Sequence, residues 1–203
     1  HYKKVFNTFP PVPTIEVNQI NHEDTRRFIL ECQPDLVMVS GTSLLKHPIL
    51  SIPIPNGIIN LHTGLSPYVK GGPNCTNWCI ADGQFHLIGN TVMWIDAGID
   101  SGDLIGTALV QFDGNETFFD IHLKVMEEAH ALYLRSVRAI EMSTAGRIRQ
   151  DSIGQGTVYY TKDWGSRAKR RLLRNLKKFK KTVTGKEYIQ KLNKVITVKC
   201  SWD

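Results

Sequence analysis

Asn60 and His62 stand one leucine apart at the end of a short apolar run, in the stretch GIINLHTGLSPYVKGG at residues 57–72. If a strand begun by Ile58 and Ile59 persists to His62, side chains two apart share a face, so Asn60 and His62 point together while Leu61 faces away. Downstream, MWIDAGIDSGDLI at 93–105 sets Asp96, Asp100 and Asp103 among Gly98 and Gly102 directly after a second apolar run. That composition suits a tight loop presenting carboxylates beside exposed amides. A carboxylate near an imidazole holds its orientation and favours its protonated form. Asn60, His62 and Asp100 therefore make a coherent trio, able to offer hydrogen-bond donors to a developing oxyanion and to move a proton. Plainer readings stay open: a strand end with a satisfied Asn and His, and aspartates that only cap turns. A calcium loop is the other competitor, but D-A-G-I-D-S-G-D lacks the EF-hand ligand spacing and its closing glutamate.

The elements around these residues alternate. Residues 23–31 read as a helix, DLVMVSG at 35–41 as a buried strand stopped by glycine, LLKHPIL as a short helix interrupted at Pro48, and GIINLH as a second strand. PNCTNWCIAD suggests a helix from near Pro73 to Gly83; LIGNTVMWID at 87–96 and LIGTALVQF at 104–112 are strand-like and joined by the aspartate loop. Residues 116–142, after the N-cap candidate Asn115, carry apolar positions at helical spacing. The pattern is βαβ, with a mostly parallel, Rossmann-like sheet. A chain of 203 residues that is 41% hydrophobic can bury a proper core. It lacks an apolar run near the roughly 20 residues needed to span a bilayer, and the start HYKKVFNTFPP lacks the apolar segment of a signal peptide; the expected location is the cytoplasm. Cys32, Cys75, Cys79 and Cys200 form no CxxC pair, so reduced thiols and no metal are expected.

Asn60-Leu61-His62, then Leu65, Pro67, Tyr68 and Gly71, followed from Asp96 by D-A-G-I-D-S-G-D, resembles the 10-formyltetrahydrofolate-dependent formyltransferases, with their N-x-H-P-S-L-L-P-x-Y-R-G strand end and D-x-G-x-D-x-G-D loop. The resemblance covers roughly residues 30–140 and has both motifs in order. It implies catalytic roles for Asn60, His62 and Asp100, and a folate site made by Ser40, Gly41, Thr42, Ser43 and Leu44 with Asp96, Gly98 and Ile99. The reaction moves a formyl group from the folate nitrogen to an amine. Negative charge collects on the formyl oxygen, where Asn60 and a protonated His62 can donate, while Asp100 pairs with His62 and relays the amine proton.

Thr63 and Gly64 replace the pattern's Pro-Ser and Ser66 replaces a leucine, which suggests a more pliable loop. The strand-turn-helix unit with which relatives open, and which helps hold the acceptor's phosphate, is not found before residue 24, and the first residue is His1 rather than Met. Residues 1–146 are read as the catalytic core and 147–203 as a C-terminal appendage. So short an appendage makes the chain most similar to the sugar N-formyltransferases, whose acceptor is a nucleotide-linked amino sugar. The methionyl-tRNA enzyme, with its large C-terminal barrel, is the alternative; a non-catalytic folate-binding relative is the rival class. WGSRAKRRLLRNLKKFKK at 164–181 supplies most of the net charge of +6 and has leucines at helical spacing. It reads as a solvated helix packing on the core or on a second copy, as a weak membrane-surface contact, or, least favoured for want of aromatics, as a nucleic-acid contact. The apolar stripe, together with the strand-like GTVYY at 156–160, leads to the expectation of a homodimer.

Overall fold

The computed structural model describes residue 8 and residues 10–200. The elements run α1 (Glu23–Cys32), β1 (Val37–Ser40), α2 (His47–Leu50), β2 (Ile58–His62), β3 (Val69–Gly71), α3 (Cys75–Ala81), β4 (Gly89–Trp94), β5 (Leu104–Leu109), α4 (Phe118–Glu141), β6 (Thr157–Tyr159), α5 (Ser166–Leu176), α6 (Phe179–Val183) and α7 (Lys186–Leu192). Among the described residues before α1, no helix or strand is formed from residue 10 onward. The expectation about a missing opening unit bears partly on residues 1–7 and 9, which lie outside the described residues.

The α/β class is as the sequence implies, and the central sheet is mixed, in the order β1-β2-β4-β5. Parallel pairing joins β1 to β2, with Val39 opposite Asn60. Strand β4 is antiparallel to β2 and to β5; the second pairing follows because the aspartate loop returns the chain directly as a hairpin and leaves no length for a crossover helix. A second sheet pairs β3 with β6 in parallel.

Both faces of the main sheet are covered. Ile59 and Leu61 turn to α4, joining Val92, Trp94, Ala129 and Leu132 in one buried cluster. Val39 belongs to a second cluster with Leu45, Ile49 and Ile52, against which Ile29 of α1 and Ile58 of β2 pack. Period-2 alternation then puts Asn60 and His62 on the Ile58 face, beyond the reach of α1 and α2. A parallel strand that outruns its covering helices leaves a crevice at its carboxyl end, where such folds bind ligands.

Three boundaries differ from the sequence reading. Pro48 does not interrupt α2 but sits in its first turn, where a missing N–H costs nothing. Helix α4 is capped by Thr117, not Asn115, because Asp120 completes a reciprocal capping box with Thr117. The basic segment is two helices, α5 and α6. Most of its apolar stripe packs on the core: Leu172 and Phe179 are buried with Val69, Cys79, Phe85 and Ile121, and Leu176 packs on that cluster, while Leu173 stays 59% exposed. Most of the stripe behind the homodimer expectation is thus used within one chain. Asn175 donates to the carbonyls of Ile80 and Ala81 at 3.1 and 2.8 Å, satisfying the free end of α3. Arg171 reaches Asp82 at 2.7 Å. Among the described residues, no helix is long and apolar enough to cross a membrane.

Candidate active site

A cleft of about 650 Å³ opens at the carboxyl ends of β1 and β2. Its walls contain every residue to which the resemblance assigns a role: Ser40, Gly41, Thr42, Ser43 and Leu44 after β1, Asn60 and His62 at the end of β2, and Asp96, Gly98, Ile99 and Asp100 from the loop between β4 and β5. Asn60 Nδ2 lies 3.5 Å from Asp100 Oδ1, and His62 Nδ1 lies 3.5 Å from Asp100 Oδ2. One carboxylate therefore faces both strand-end residues. Asp100 Oδ2 also accepts from the Gly71 amide at 2.8 Å. The loop supports itself through Asp96, whose Oδ1 accepts from the Gly98 amide at 2.9 Å and the Ser101 hydroxyl at 2.7 Å. Turn capping and cleft lining are thus the same residue's two tasks. Asp103 lies outside this cleft and lines a neighbouring groove with Lys70.

The state of His62 differs from the sequence expectation. Burial pushes its pKa below the ordinary imidazole value, and this outweighs the opposing pull of Asp100. The lowered value favours the neutral ring at rest. Its surroundings nonetheless suit a second proton, because Nδ1 faces the Asp100 carboxylate and Nε2 lies 3.3 Å from the Val69 carbonyl. Both N–H groups of an imidazolium would meet an acceptor. Cys75 Sγ, 3.5 Å from Nε2, completes the pocket. Burial, followed by Asp100, pushes this thiol up to about 12, so it is no nucleophile at neutral pH.

The turn after His62 is pinned rather than pliable. Thr91 Oγ1 donates to the Gly64 carbonyl at 2.7 Å and accepts from the Ser66 amide at 2.9 Å. Gly64 has a steric reason: a Cβ there would lie 2.3 Å from His62 Nε2. Sequence reasoning missed Thr91, Gln150 and the stretch Tyr159–Thr161, which also lines the cleft. No local motif or periodicity marks them as part of the site.

The formyl transferase family model matches residues 4–137. The chain belongs to the formyl transferase family. Among its sequence relatives are the methionyl-tRNA formyltransferases of Desulforamulus reducens, 30% identical over 141 residues and covering 69% of this chain and 44% of the relative, and of Acetivibrio thermocellus, 33% identical over 140 residues and covering 67% and 44%. This formyl transferase chain thus spans less than half the length of those relatives. Solved structures share the fold. PseJ from Anoxybacillus kamchatkensis, in complex with a UDP-linked formamido sugar and tetrahydrofolate, has a TM-score of 0.56 at 23% identity and covers 78% of this chain and 76% of that one. A 4-N formyltransferase from Francisella tularensis has a TM-score of 0.59 at 22% identity, with 75% and 65% covered.

Proposed function

We propose that this protein transfers a formyl group from 10-formyltetrahydrofolate to a primary amine. The observation that carries the reading is the convergence of Asn60, His62 and Asp100 on one wall of a cleft whose neighbouring walls are Ser40–Leu44 and Asp96–Ile99. In this reading the amine attacks the formyl carbon, and charge grows on the formyl oxygen. Asn60 Nδ2 has two hydrogens, and only one is directed at Asp100, so the other is free for that oxygen. A pre-positioned donor of this kind is worth about 3 kcal/mol of barrier. The proton lost by the amine passes to the His62–Asp100 pair, which shares it and gives it to the folate nitrogen as the bond from that nitrogen to the formyl carbon breaks, so that tetrahydrofolate leaves and the formamide remains. A ring kept neutral at rest, yet flanked by two acceptors, favours the charged form only as the reaction makes it.

The acceptor we propose is a nucleotide-linked amino sugar, in keeping with PseJ, which shares the fold and whose complex holds a UDP-linked formamido sugar, and with a cleft lining that includes Tyr159, Tyr160 and Thr161. Methionyl-tRNA is the second reading, favoured by the sequence relatives and the basic helix α5.

Incubation with 10-formyltetrahydrofolate and a panel of both acceptor types, following tetrahydrofolate release, tests the assignment. Asn60→Ala and His62→Ala should each lower turnover by about a hundredfold while folate affinity changes little. Undiminished turnover in either variant refutes the roles. Folate binding without turnover on any acceptor points to the binding-only relative.

A further inference from the structure

Gln150 lies beyond the family-matched region, in the C-terminal segment, yet is only 8% exposed and directed at the catalytic loop. Its Nε2 carries two hydrogens and uses both, donating to the Asp100 carbonyl at 2.8 Å and the Gly102 carbonyl at 2.9 Å. Immediately before the first of those carbonyls the chain is in an unfavourable state: Asp100 has φ 47°, the left-handed region that a side chain disfavours. Asp96 ties down the first half of the loop, at Gly98 and Ser101; Gln150 ties down the second. Delivery is built into the fold, because Ile148 pairs both ways with Leu104, at 2.8 and 3.0 Å, immediately after the loop. That pairing fixes where residue 150 falls.

We infer that Gln150 is a positioning residue for Asp100: by clamping the two carbonyls it holds the carboxylate against His62, Asn60 and the Gly71 amide. The inference rests on the proposed role of the trio, and it makes the segment after residue 146 part of the reaction centre rather than an accessory. Replacing the amide by an apolar group of similar length leaves both carbonyls unpaired and lets Asp100 relax to ordinary backbone angles. The carboxylate then leaves the ring.

The groups facing His62 are Asp100 from the loop, Lys70 and the Val69 carbonyl from β3, and the Cys75 thiol from α3. Of the charged ones only Asp100 favours the imidazolium, so its departure moves the titration of His62 to lower pH. The experiment follows the His62 imidazole resonance against pH in the full chain, identified by its loss in His62→Gln. In Gln150→Met the titration should shift down, in the same direction as in Asp100→Asn, and the double variant Asp100→Asn/Gln150→Met should shift no further than Asp100→Asn alone. Turnover of Gln150→Met should fall at least about tenfold. If that variant does not fold, Gln150→Asn, one methylene short of the loop, is titrated instead with the same expectation. A folded variant whose His62 titrates as in wild type overturns the inference, whatever its melting temperature. A shifted titration in a chain that transfers no formyl group upholds the positioning and refutes only the catalytic reading.

Discussion

Replacing Gly64 by alanine tests whether the placement of His62 matters. The added methyl would lie 2.3 Å from His62 Nε2, 2.8 Å from the Val69 carbonyl oxygen and 2.9 Å from Cys75 Cβ. Carbon reaches ordinary contact at about 3.5 Å, so the shortest of these is too close by about 1 Å. The backbone of residue 64 cannot easily give way, because Thr91 Oγ1 holds its carbonyl at 2.7 Å and the Ser66 amide at 2.9 Å. The side chain of His62 moves instead, and with it the contact to Asp100. Overpacking of this kind costs about 1–3 kcal/mol, which lowers the melting temperature by about 2–4 °C per kcal/mol in a chain of this size. A catalytic group displaced by about 1 Å can lose about a hundredfold in rate. Thermal melts and tetrahydrofolate release on the best acceptor of the panel give the two numbers. A variant that keeps the wild-type rate while melting lower would show that the ring's position is not used in the reaction. One unchanged in both would show that the turn yields where Thr91 holds it.

Further predictions concern the scaffold. Tyr133 in α4 donates to the carbonyls of Val39 and Ile59 at 2.9 and 3.2 Å; Tyr133→Phe should cost about 1 kcal/mol, and an unchanged urea midpoint would contradict this. Burial alone would raise Glu116, but Lys124 and the amides of Asp113, Glu116 and Gly114 prevail and hold it at about 2. A folded value below the unfolded carboxylate value of about 4.3 gives stabilisation that is present above that pH and lost as pH falls toward 2. Wild type should therefore outlast Glu116→Gln in melts at pH 6 and lose that advantage near pH 2. Alkylation at pH 8 followed by mass spectrometry should label exposed Cys32 while sparing Cys75, whose thiol stays protonated up to about 12; rapid labelling of Cys75 in the folded chain would contradict its burial.

What the sequence made legible was local. The period-2 alternation of Ile58–His62 assigned Leu61 to the core and Asn60 and His62 to the opposite face, and the structure agrees. Glycine-rich spacing after Trp94 marked a tight loop, and the loop brings Asp100 to both residues. What escaped was set by tertiary contact. The charge on His62 depends on how much water the fold removes, and burial outweighs the carboxylate that the motif supplies. Gln150 lies 50 residues from Asp100 with no periodicity to connect them, and although the strand-like stretch at 156–160 does form β6, its parallel pairing with β3 is a tertiary contact that the local pattern does not carry. Thr117 outcompeted Asn115 as a cap because a capping box needs an acid three residues on, and Asp120 stands there.

The two sets of relatives differ over the acceptor for a reason visible in the cleft. The family-matched region, residues 4–137, contains Ser40–Leu44, Asn60, His62 and the loop that holds Asp100, the parts to which the proposed reading assigns the folate and the movement of the formyl group. Another part of the lining, Tyr159–Thr161, comes from outside that region, and so does the clamp on Asp100. Likeness measured over the core therefore reports the chemistry held in common. Under the proposed reading, discrimination among amines belongs to the later segment, where Tyr159 stacks on Trp78 at 4.6 Å and its hydroxyl reaches Asp82 at 2.8 Å. The same β3–β6 pairing that builds this wall also fixes Gly71, whose amide holds the Asp100 carboxylate. Under that reading the acceptor wall and the proton-accepting pair are linked through β3, and a substrate that displaced β6 would reach the Gly71 amide and, through it, the Asp100 carboxylate.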